Sequence, residues 1–315
     1  MACYHPITAY LSSYQINSSQ GINTFSDGKR SGRAFRRVAF KQDDDHPNQI
    51  SLPCGQCIGC RLERSRQWAM RCMHEAQLHE HNCFITLTYD DTHLPSDQSL
   101  HYRDFQLFIK RLRKRFPTTK ISYYMAGEYG ENFGRPHYHA CIFGLDFHDK
   151  KLWKRTTSGS LIYRSSDLEA LWPFGYSSIG DVNFESAAYV ARYIMKKQTN
   201  KQHYQYSDLE TGEIIQMTPE FNKMSLKPAI GLNWYKKYKS DIYPHDYVVL
   251  RGKKLKPPKY YDNLYKRENP YEMEQLLALR ETGAKLNHAD NTYERLAVKE
   301  QVTQAKLRKL KRTLT

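Results

Sequence analysis

No stretch of this chain approaches the roughly 18 consecutive apolar residues of a membrane-crossing helix, so no transmembrane span is expected. The first 25 residues lack a basic segment followed by a long apolar one, so no secretory signal is expected either. There is no internal repeat and no long low-complexity tract. Cysteine is sparse: seven residues, an odd count, and clustered rather than spread. That pattern argues against a secreted disulfide framework and for a reducing compartment with metal-bound or free thiols. Acidic residues are also in deficit, 33 against 48 lysines and arginines, for a net charge of +15. A charge of that size asks for a polyanionic partner, either nucleic acid or an anionic membrane surface. The 315 residues are enough for one large domain or two modest ones with a real core. Mean hydropathy is low at −0.76, yet 13% of residues are aromatic, too much surface in need of partners for a disordered chain.

Residues 1–50 read as polar loops with one short strand over 34–40. A helix is predicted over 61–81 from a stripe of Leu62, Trp68, Ala69, Cys72, Met73 and Ala76. Elements then alternate. Strands are predicted at 83–89, 121–126, 136–143 and 176–182, and helices at 104–116, 166–172 and 185–197. From 198 to 265 tyrosine, lysine and proline dominate, a composition that suits either stacking on unpaired bases or a polar surface subdomain. The end of the chain reads as a solvated, basic helical segment. Four regions follow: 1–80 with the cysteine cluster and a basic helix, a core over 81–200, a Tyr/Lys-rich region over 201–270, and a helical basic tail over 271–315.

Four constellations carry chemistry. In Arg135-Pro-His-Tyr-His-Ala-Cys-Ile-Phe143 the strand period of two projects His137 and His139 from one face, and Tyr138, Ala140 and Ile142 from the other. Two adjacent imidazoles suit a divalent metal. The preceding strand ends in Ala126-Gly-Glu128, and a Gly-rich loop joins the two as antiparallel neighbours. Glu128 then reaches the same face and completes a site of two nitrogens and one oxygen with open positions. In Ser186-Ala-Ala-Tyr-Val-Ala-Arg-Tyr-Ile-Met-Lys-Lys197, Tyr189 and Tyr193 lie about 40° apart on the helix, and Lys196 within about 20° of Tyr189. A phenol is a weak nucleophile until a cation or a metal-polarised phosphate assists it. Cys54-Gly-Gln-Cys57-Ile-Gly-Cys60 has knuckle spacing for zinc or an iron–sulfur cluster, with free thiols the alternative. A fourth ligand must come from elsewhere, and Cys72, His74, Cys83 and Cys3 are the candidates. In Phe84-Ile-Thr-Leu-Thr-Tyr-Asp-Asp91, hydroxyl groups end a strand and can touch a sugar–phosphate chain. The bland reading is a core strand running into a loop.

The order Thr-Leu-Thr strand, His-x-His strand, Tyr/Lys helix resembles the HUH endonuclease superfamily of rolling-circle replication initiators. The match is closer over Leu52-Pro-Cys-Gly-Gln-Cys-Ile-Gly-Cys-Arg61, Arg-Gln-Trp-Ala-Met-Arg71, Gly134-Arg-Pro-His-Tyr-His139, Tyr189-Val-Ala-Arg-Tyr193 and Ser225-Leu-Lys-Pro-Ala-Ile-Gly231. These segments, spread over about residues 50–235, resemble the replication initiators of gokushoviruses, small circular single-stranded DNA phages of the microvirus group.

The resemblance implies an α+β fold: an antiparallel central sheet of about five strands flanked by helices, with a Cys-containing N-terminal segment and a helical C-terminal extension. It also implies Mg²⁺ or Mn²⁺ on Glu128, His137 and His139, nucleophiles Tyr189 and Tyr193 assisted by Lys196, and DNA contacts at Thr86, Thr88, Arg135, Arg192 and Lys197. Structural Zn²⁺ at Cys54, Cys57 and Cys60 is the second metal expectation. Partners would be single-stranded or origin DNA, a host polymerase and a host helicase, in the cytoplasm of the infected bacterium. No Gly-x-x-x-x-Gly-Lys-Ser/Thr loop is present, so no helicase domain is expected in the chain. The competing readings are a transposase or relaxase of the same superfamily, and a non-catalytic, zinc-stabilised nucleic-acid binder.

Overall fold

The computed structural model describes residues 3–11, 15–16, 34–35, 38–43, 48–130, 134–157, 159–196, 204–207, 212 and 214–309; of 192–196 it describes the helix backbone alone. The chain divides into two compact units, Met1–Cys60 with Ala289–Gln304, and Arg61–His288 with Ala305–Thr315.

The first unit holds β1 (Ile7–Leu11), β2 (Gln15–Ile16), β3 (Ala34–Phe35), β4 (Val38–Ala39) and β5 (Asn48–Leu52). β1 lies between β4 and β5 in a three-stranded antiparallel sheet, and β2 pairs with β3. The strand expected over 34–40 is thus two short ones. The cysteine segment runs into α1 (Ile58–Ala76), which starts earlier and stops earlier than the predicted 61–81.

The second unit is built on one sheet. In chain order come β6 (Asn82–Tyr89), α2 (Tyr102–Arg115), β7 (Ser122–Tyr129), β8 (Pro136–Phe143), β9 (Lys151–Arg155), β10 (Leu161–Arg164), α3 (Ser166–Leu171), β11 (Gly175–Gly180) and α4 (Phe184–Lys196). Then follow β12 (Tyr204–Ser207), β13 (Ile214–Met217), β14 (Phe221–Met224), α5 (Leu232–Ile242), β15 (Val248–Leu250), β16 (Lys253–Leu255), α6 (Lys259–Glu268), α7 (Pro270–Leu286) and α8 (Tyr293–Lys309), whose last turn returns to this unit. Seven strands form the sheet in the order β14-β7-β8-β6-β11-β10-β9, and every pairing is antiparallel. The fold is the expected α+β arrangement, with a sheet of seven strands rather than about five. β9 and β10 extend one edge as a hairpin, and β14 caps the other.

Alternation along the central strands gives the sheet two distinct faces. Cys83, Ile85, Leu87 and Tyr89 of β6, Met125 of β7, and Tyr138, Ala140 and Ile142 of β8 face Phe105, Phe108, Ile109 and Leu112 of α2, all buried in one apolar cluster. The opposite face carries Phe84, Tyr124, Ala126, Cys141 and Phe143, packed against Ala69 and Cys72 of α1 and Ala187, Val190 and Ala191 of α4. A third cluster accounts for much of the aromatic content after residue 230. Trp234, Tyr235, Tyr243 and Tyr261 are buried with Met70, Ile242, Met273 and Leu276. Those four rings are core side chains, so they are not surface platforms for bases.

Candidate metal and nucleophile site

The register of the central strands sets the site. Glu128 on β7 stands directly opposite His137 on β8, and Ala126 opposite His139. On the other side of β8, Thr86 of β6 stands opposite His139 and Thr88 opposite His137. Directly opposed residues share a face, so Thr86, Thr88, Glu128, His137 and His139 all project toward the face that α4 covers. The small side chains of Ala187 and Ala191 in that contact let the helix approach closely.

Three donor atoms converge there. Glu128 Oε1 lies 2.6 Å from His137 Nε2 and 2.7 Å from His139 Nε2. The Tyr189 phenol donates to the same carboxylate oxygen at 3.2 Å. Its ring stands edge-on to His139, with centroids 5.0 Å apart. Glu128 is 2% exposed and His139 1%, while His137 is partly open to solvent.

The outer hydrogen bonds decide what the site wants. His137 Nδ1 lies 3.0 Å from the carbonyl oxygen of Arg135, which can only accept, so this nitrogen carries the proton. In the neutral ring the Nε2 lone pair then faces Glu128 Oε1, an arrangement that asks for a shared proton or a cation. His139 Nδ1 is 2.8 Å from Thr86 Oγ1, a hydroxyl that can donate or accept and so leaves Nε2 free to ligate. Glu128 Oε2 is buried and has no hydrogen-bond partner among the described residues. Burial alone would raise the pKa of Glu128, but the hydrogen bonds and charges of His137 and His139 outweigh it and bring it down to about 2. An ionised carboxylate with one orphaned oxygen beside two imidazole nitrogens fits a divalent cation, and all three ligand atoms lie within 4.8 Å of one another.

The other expected site residues fall as follows. Tyr193, Arg192 and Lys196 belong to α4, one to two turns past Tyr189, and their side chains lie outside the described residues, as does all of Lys197. Arg135 is engaged within the fold: it donates to the Tyr89 carbonyl at 2.9 Å and pairs with Asp91, tying the start of β8 to the end of β6. The Thr88 carbonyl accepts from Trp172 Nε1 at 3.2 Å. Thr86, expected to touch DNA, contacts His139 instead. The signal for that was the alternation of Thr-Leu-Thr, but only the pairing of β6 with β8 shows which histidine each threonine meets. Cys54, Cys57 and Cys60 come together with Cys3, whereas Cys72 and Cys83 are buried in the apolar clusters on the two sheet faces and His74 stacks on Trp234.

Residues 82–198, from β6 through α4, match the family model of the phage replication-associated protein ORF2. The chain is 38% identical over 231 residues to the replication-associated protein VP4 of Bdellovibrio phage phiMH2K, covering 70% of this chain and 69% of that protein. The chain belongs to the gokushovirus-type family of phage replication initiators. The replication-associated protein ORF2 of Spiroplasma virus 4 is 35% identical over 233 residues, 69% of this chain and 68% of its own. The replication-associated protein ORF4 of Chlamydia phage 1 is 30% identical over 240 residues, 73% of this chain and 58% of its own. No solved structure matches the chain. The segment matched by the family model contains Thr86, Glu128, His137, His139, Tyr189 and Tyr193, and leaves the cysteine cluster outside. Among the described residues no helix is long and apolar enough to cross a membrane.

Proposed function

We propose that this replication initiator is a metal-dependent nicking and joining enzyme that opens single-stranded or unpaired origin DNA for rolling-circle replication. The observation that carries the reading is the convergence of Glu128, His137 and His139 with the Tyr189 phenol 3.2 Å from the shared carboxylate oxygen. Glu128, His137 and His139 would hold Mg²⁺ or Mn²⁺, which when bound supplies positive charge to polarise a scissile phosphate.

The residues of the chain do the rest. The Tyr189 hydroxyl attacks phosphorus, forming the phenol–phosphorus bond as the bond to the 3′ oxygen breaks. The products are a 5′-phosphotyrosine and a free 3′-OH, which a host polymerase extends behind a host helicase in the bacterial cytoplasm. Tyr193, one turn along α4, performs the second cleavage, and the returning 3′-OH displaces the first tyrosine. The bond energy is conserved through both transfers, so no nucleotide cofactor is needed. Lys196, Arg192 and Lys197 are the cations of this helix end and are assigned to phosphate contacts beside the tyrosines. The cost of desolvating Glu128 is offset by its imidazole neighbours, and the dry setting strengthens each charge interaction at the site.

The test is a nicking assay with labelled origin oligonucleotides and Mn²⁺, resolved on a denaturing gel. A labelled protein band that needs metal is expected from the wild type. Tyr189→Phe and Tyr193→Phe should each reduce it, and the double variant and His137→Ala should abolish it. Tight DNA binding with no covalent adduct on any origin-derived strand would refute the enzyme reading and leave a zinc-stabilised DNA-binding protein.

A further inference from the structure

The first unit has too little core to fold by burial alone. It comprises Met1–Cys60 and Ala289–Gln304, fewer than about 80 residues, a size at which a hydrophobic core seldom suffices without a staple. Among the residues whose side chains are described there, the buried apolar ones are Cys3, Ala9 and Leu296. Its sheet consists of two five-residue strands and one of two residues. Something other than apolar burial must hold these pieces.

Four thiols occupy the place where a staple would be. Cys3 precedes β1, Cys54 and Cys57 follow β5, and Cys60 lies in the first turn of α1. Cys54 Sγ is 4.0 Å from Cys60 Sγ and Cys57 Sγ is 3.9 Å from Cys3 Sγ. All four sulfurs lie within 4.8 Å of one another. Disulfides need sulfurs about 2.05 Å apart, and all four cysteines are free. A tetrahedron of zinc–sulfur bonds of about 2.3 Å has edges of about 3.8 Å, close to the two measured pairs.

The backbone is arranged to receive negative sulfur. Amides of Tyr4, Cys54 and Cys57 donate at 3.3 Å to the sulfurs of Cys57, Cys3 and Cys54 respectively, and Cys60 N donates to Cys57 Sγ at 3.5 Å. Such donors stabilise thiolates, the form that binds metal. Gly55, at φ +75°, supplies the left-handed turn that brings Cys54 and Cys57 to the same point.

We propose that Cys3, Cys54, Cys57 and Cys60 bind one structural zinc ion, and that this ion is the staple on which the first unit folds. The four thiols release their protons to solvent as the ion binds. All four ligand positions are then filled by protein, so the ion is structural and has no open position for substrate. The C-terminal helix shares in the arrangement. Tyr4 Oη is 2.7 Å from Thr303 Oγ1 and His5 Nε2 is 2.7 Å from Glu300 Oε2, with Tyr4 and His5 directly following Cys3 in sequence. Zinc binding therefore also docks residues 293–304 of α8 within this unit.

The test uses the full chain, purified without chelator, and reads bound metal and hydrogen exchange rather than nicking. Elemental analysis should find about one zinc per chain that survives dialysis. Replacement by Co²⁺ should give thiolate-to-cobalt charge-transfer absorption, a band that carboxylate and imidazole ligands at Glu128, His137 and His139 do not produce. Cys3→Ser and Cys57→Ser should lose the ion, Cys3→His should regain part of it, and Cys72→Ser should keep it. Releasing zinc from the wild type with a mercurial thiol reagent and chelator should speed exchange in β1, β5 and residues 293–304 and leave β6, β7 and β8 unchanged. A zinc-free or iron-loaded chain would overturn the assignment of the ion. Full zinc retention in Cys3→Ser would overturn Cys3 as the fourth ligand. Zinc release that leaves exchange in β1 and β5 unaltered would overturn the staple.

Discussion

Thr86→Val is the substitution that isolates the second contact of His139. Valine keeps the shape of threonine and removes the hydroxyl that lies 2.8 Å from His139 Nδ1. His139 is 1% exposed, so no water replaces the lost partner. Without metal the variant ring can keep its proton on Nε2, where Glu128 Oε1 accepts it at 2.7 Å. A bound ion needs the Nε2 lone pair and forces the proton to Nδ1, which in the variant meets only a methyl group. The penalty therefore falls on the metal-bound state alone.

An orphaned buried donor costs about 1–3 kcal/mol. At about 1.4 kcal/mol per factor of ten that is roughly 5- to 150-fold weaker metal binding, in line with the roughly 10- to 100-fold typical of such outer contacts. The assay is Mn²⁺ titration of the full chain, with free ion followed by its paramagnetic resonance signal, beside nicking measured against Mn²⁺ concentration. Both curves should move to higher Mn²⁺ by the same factor, and nicking should recover at saturating metal. Thr86→Ser should restore the wild-type position. Unchanged Mn²⁺ affinity with nicking that stays low at saturating metal would refute the reasoning, because that is the behaviour of a residue that contacts DNA.

Two further outcomes test the scaffold. His74 is 1% exposed, stacked on Trp234 with centroids 3.5 Å apart and hydrogen-bonded to Tyr261 at 2.9 Å, and burial pushes it down to about 3. The unfolded chain takes up its proton near pH 6.5 and the folded chain does not, so this stability is present above pH 6.5 and is lost as pH falls toward 3. The loss between pH 7.5 and pH 5 is about 2 kcal/mol. Urea unfolding at the two pH values should show that difference, and His74→Gln should flatten it; equal slopes in the two proteins would sink the assignment. Gly175, at φ +145°, leaves no room for a side chain: a Cβ there would lie 2.3 Å from the Asp90 amide nitrogen and 2.6 Å from the Thr88 carbonyl oxygen. Gly175→Ala should therefore destabilise the protein by about 3 kcal/mol or more, and an unchanged urea midpoint would contradict the close approach of β11 to the end of β6.

How much of this was legible in the sequence follows from how local each signal is. β8 could be read to the residue because its alternation separates Tyr138, Ala140 and Ile142 from His137 and His139, and the strand ends where the pattern does. α4 carries its apolar stripe within four turns. β9 was invisible because all five of its residues are exposed and show no alternation. β14 is a strand only by virtue of its partner β7, nearly a hundred residues away in the chain. Cys3 could not be separated from Cys72, His74 and Cys83, since only the fold brings it to Cys54 and Cys57. The aromatic stretch was ambiguous for a chemical reason. A tyrosine can stack on a base or fill a core provided its hydroxyl finds a partner, and here Tyr235 finds Glu268, Tyr243 finds Asp262 and Tyr261 finds His74.

The two faces of the central sheet divide stability from chemistry. Burying Glu128 beside two imidazoles is costly in any small fold, and nothing on its own face could offset that, because Thr86, Thr88, His137 and His139 occupy the same positions. The compensation comes from the opposite side of the same strands. Leu87, Met125, Tyr138 and Ala140 are close sequence neighbours of those polar residues, and all are fully or almost fully buried against α2. One residue of slip in the pairing would exchange the two sets, so the apolar face enforces the register that lines up Glu128 with His137 and Thr86 with His139. The position of the phenol is set in the same way. Ala187, Val190 and Ala191 hold α4 against Tyr124, Ala126 and Cys141, and that packing delivers Tyr189 to the carboxylate. The single 3.2 Å hydrogen bond is a consequence of that contact; at about 1 kcal/mol it is too weak to position a helix.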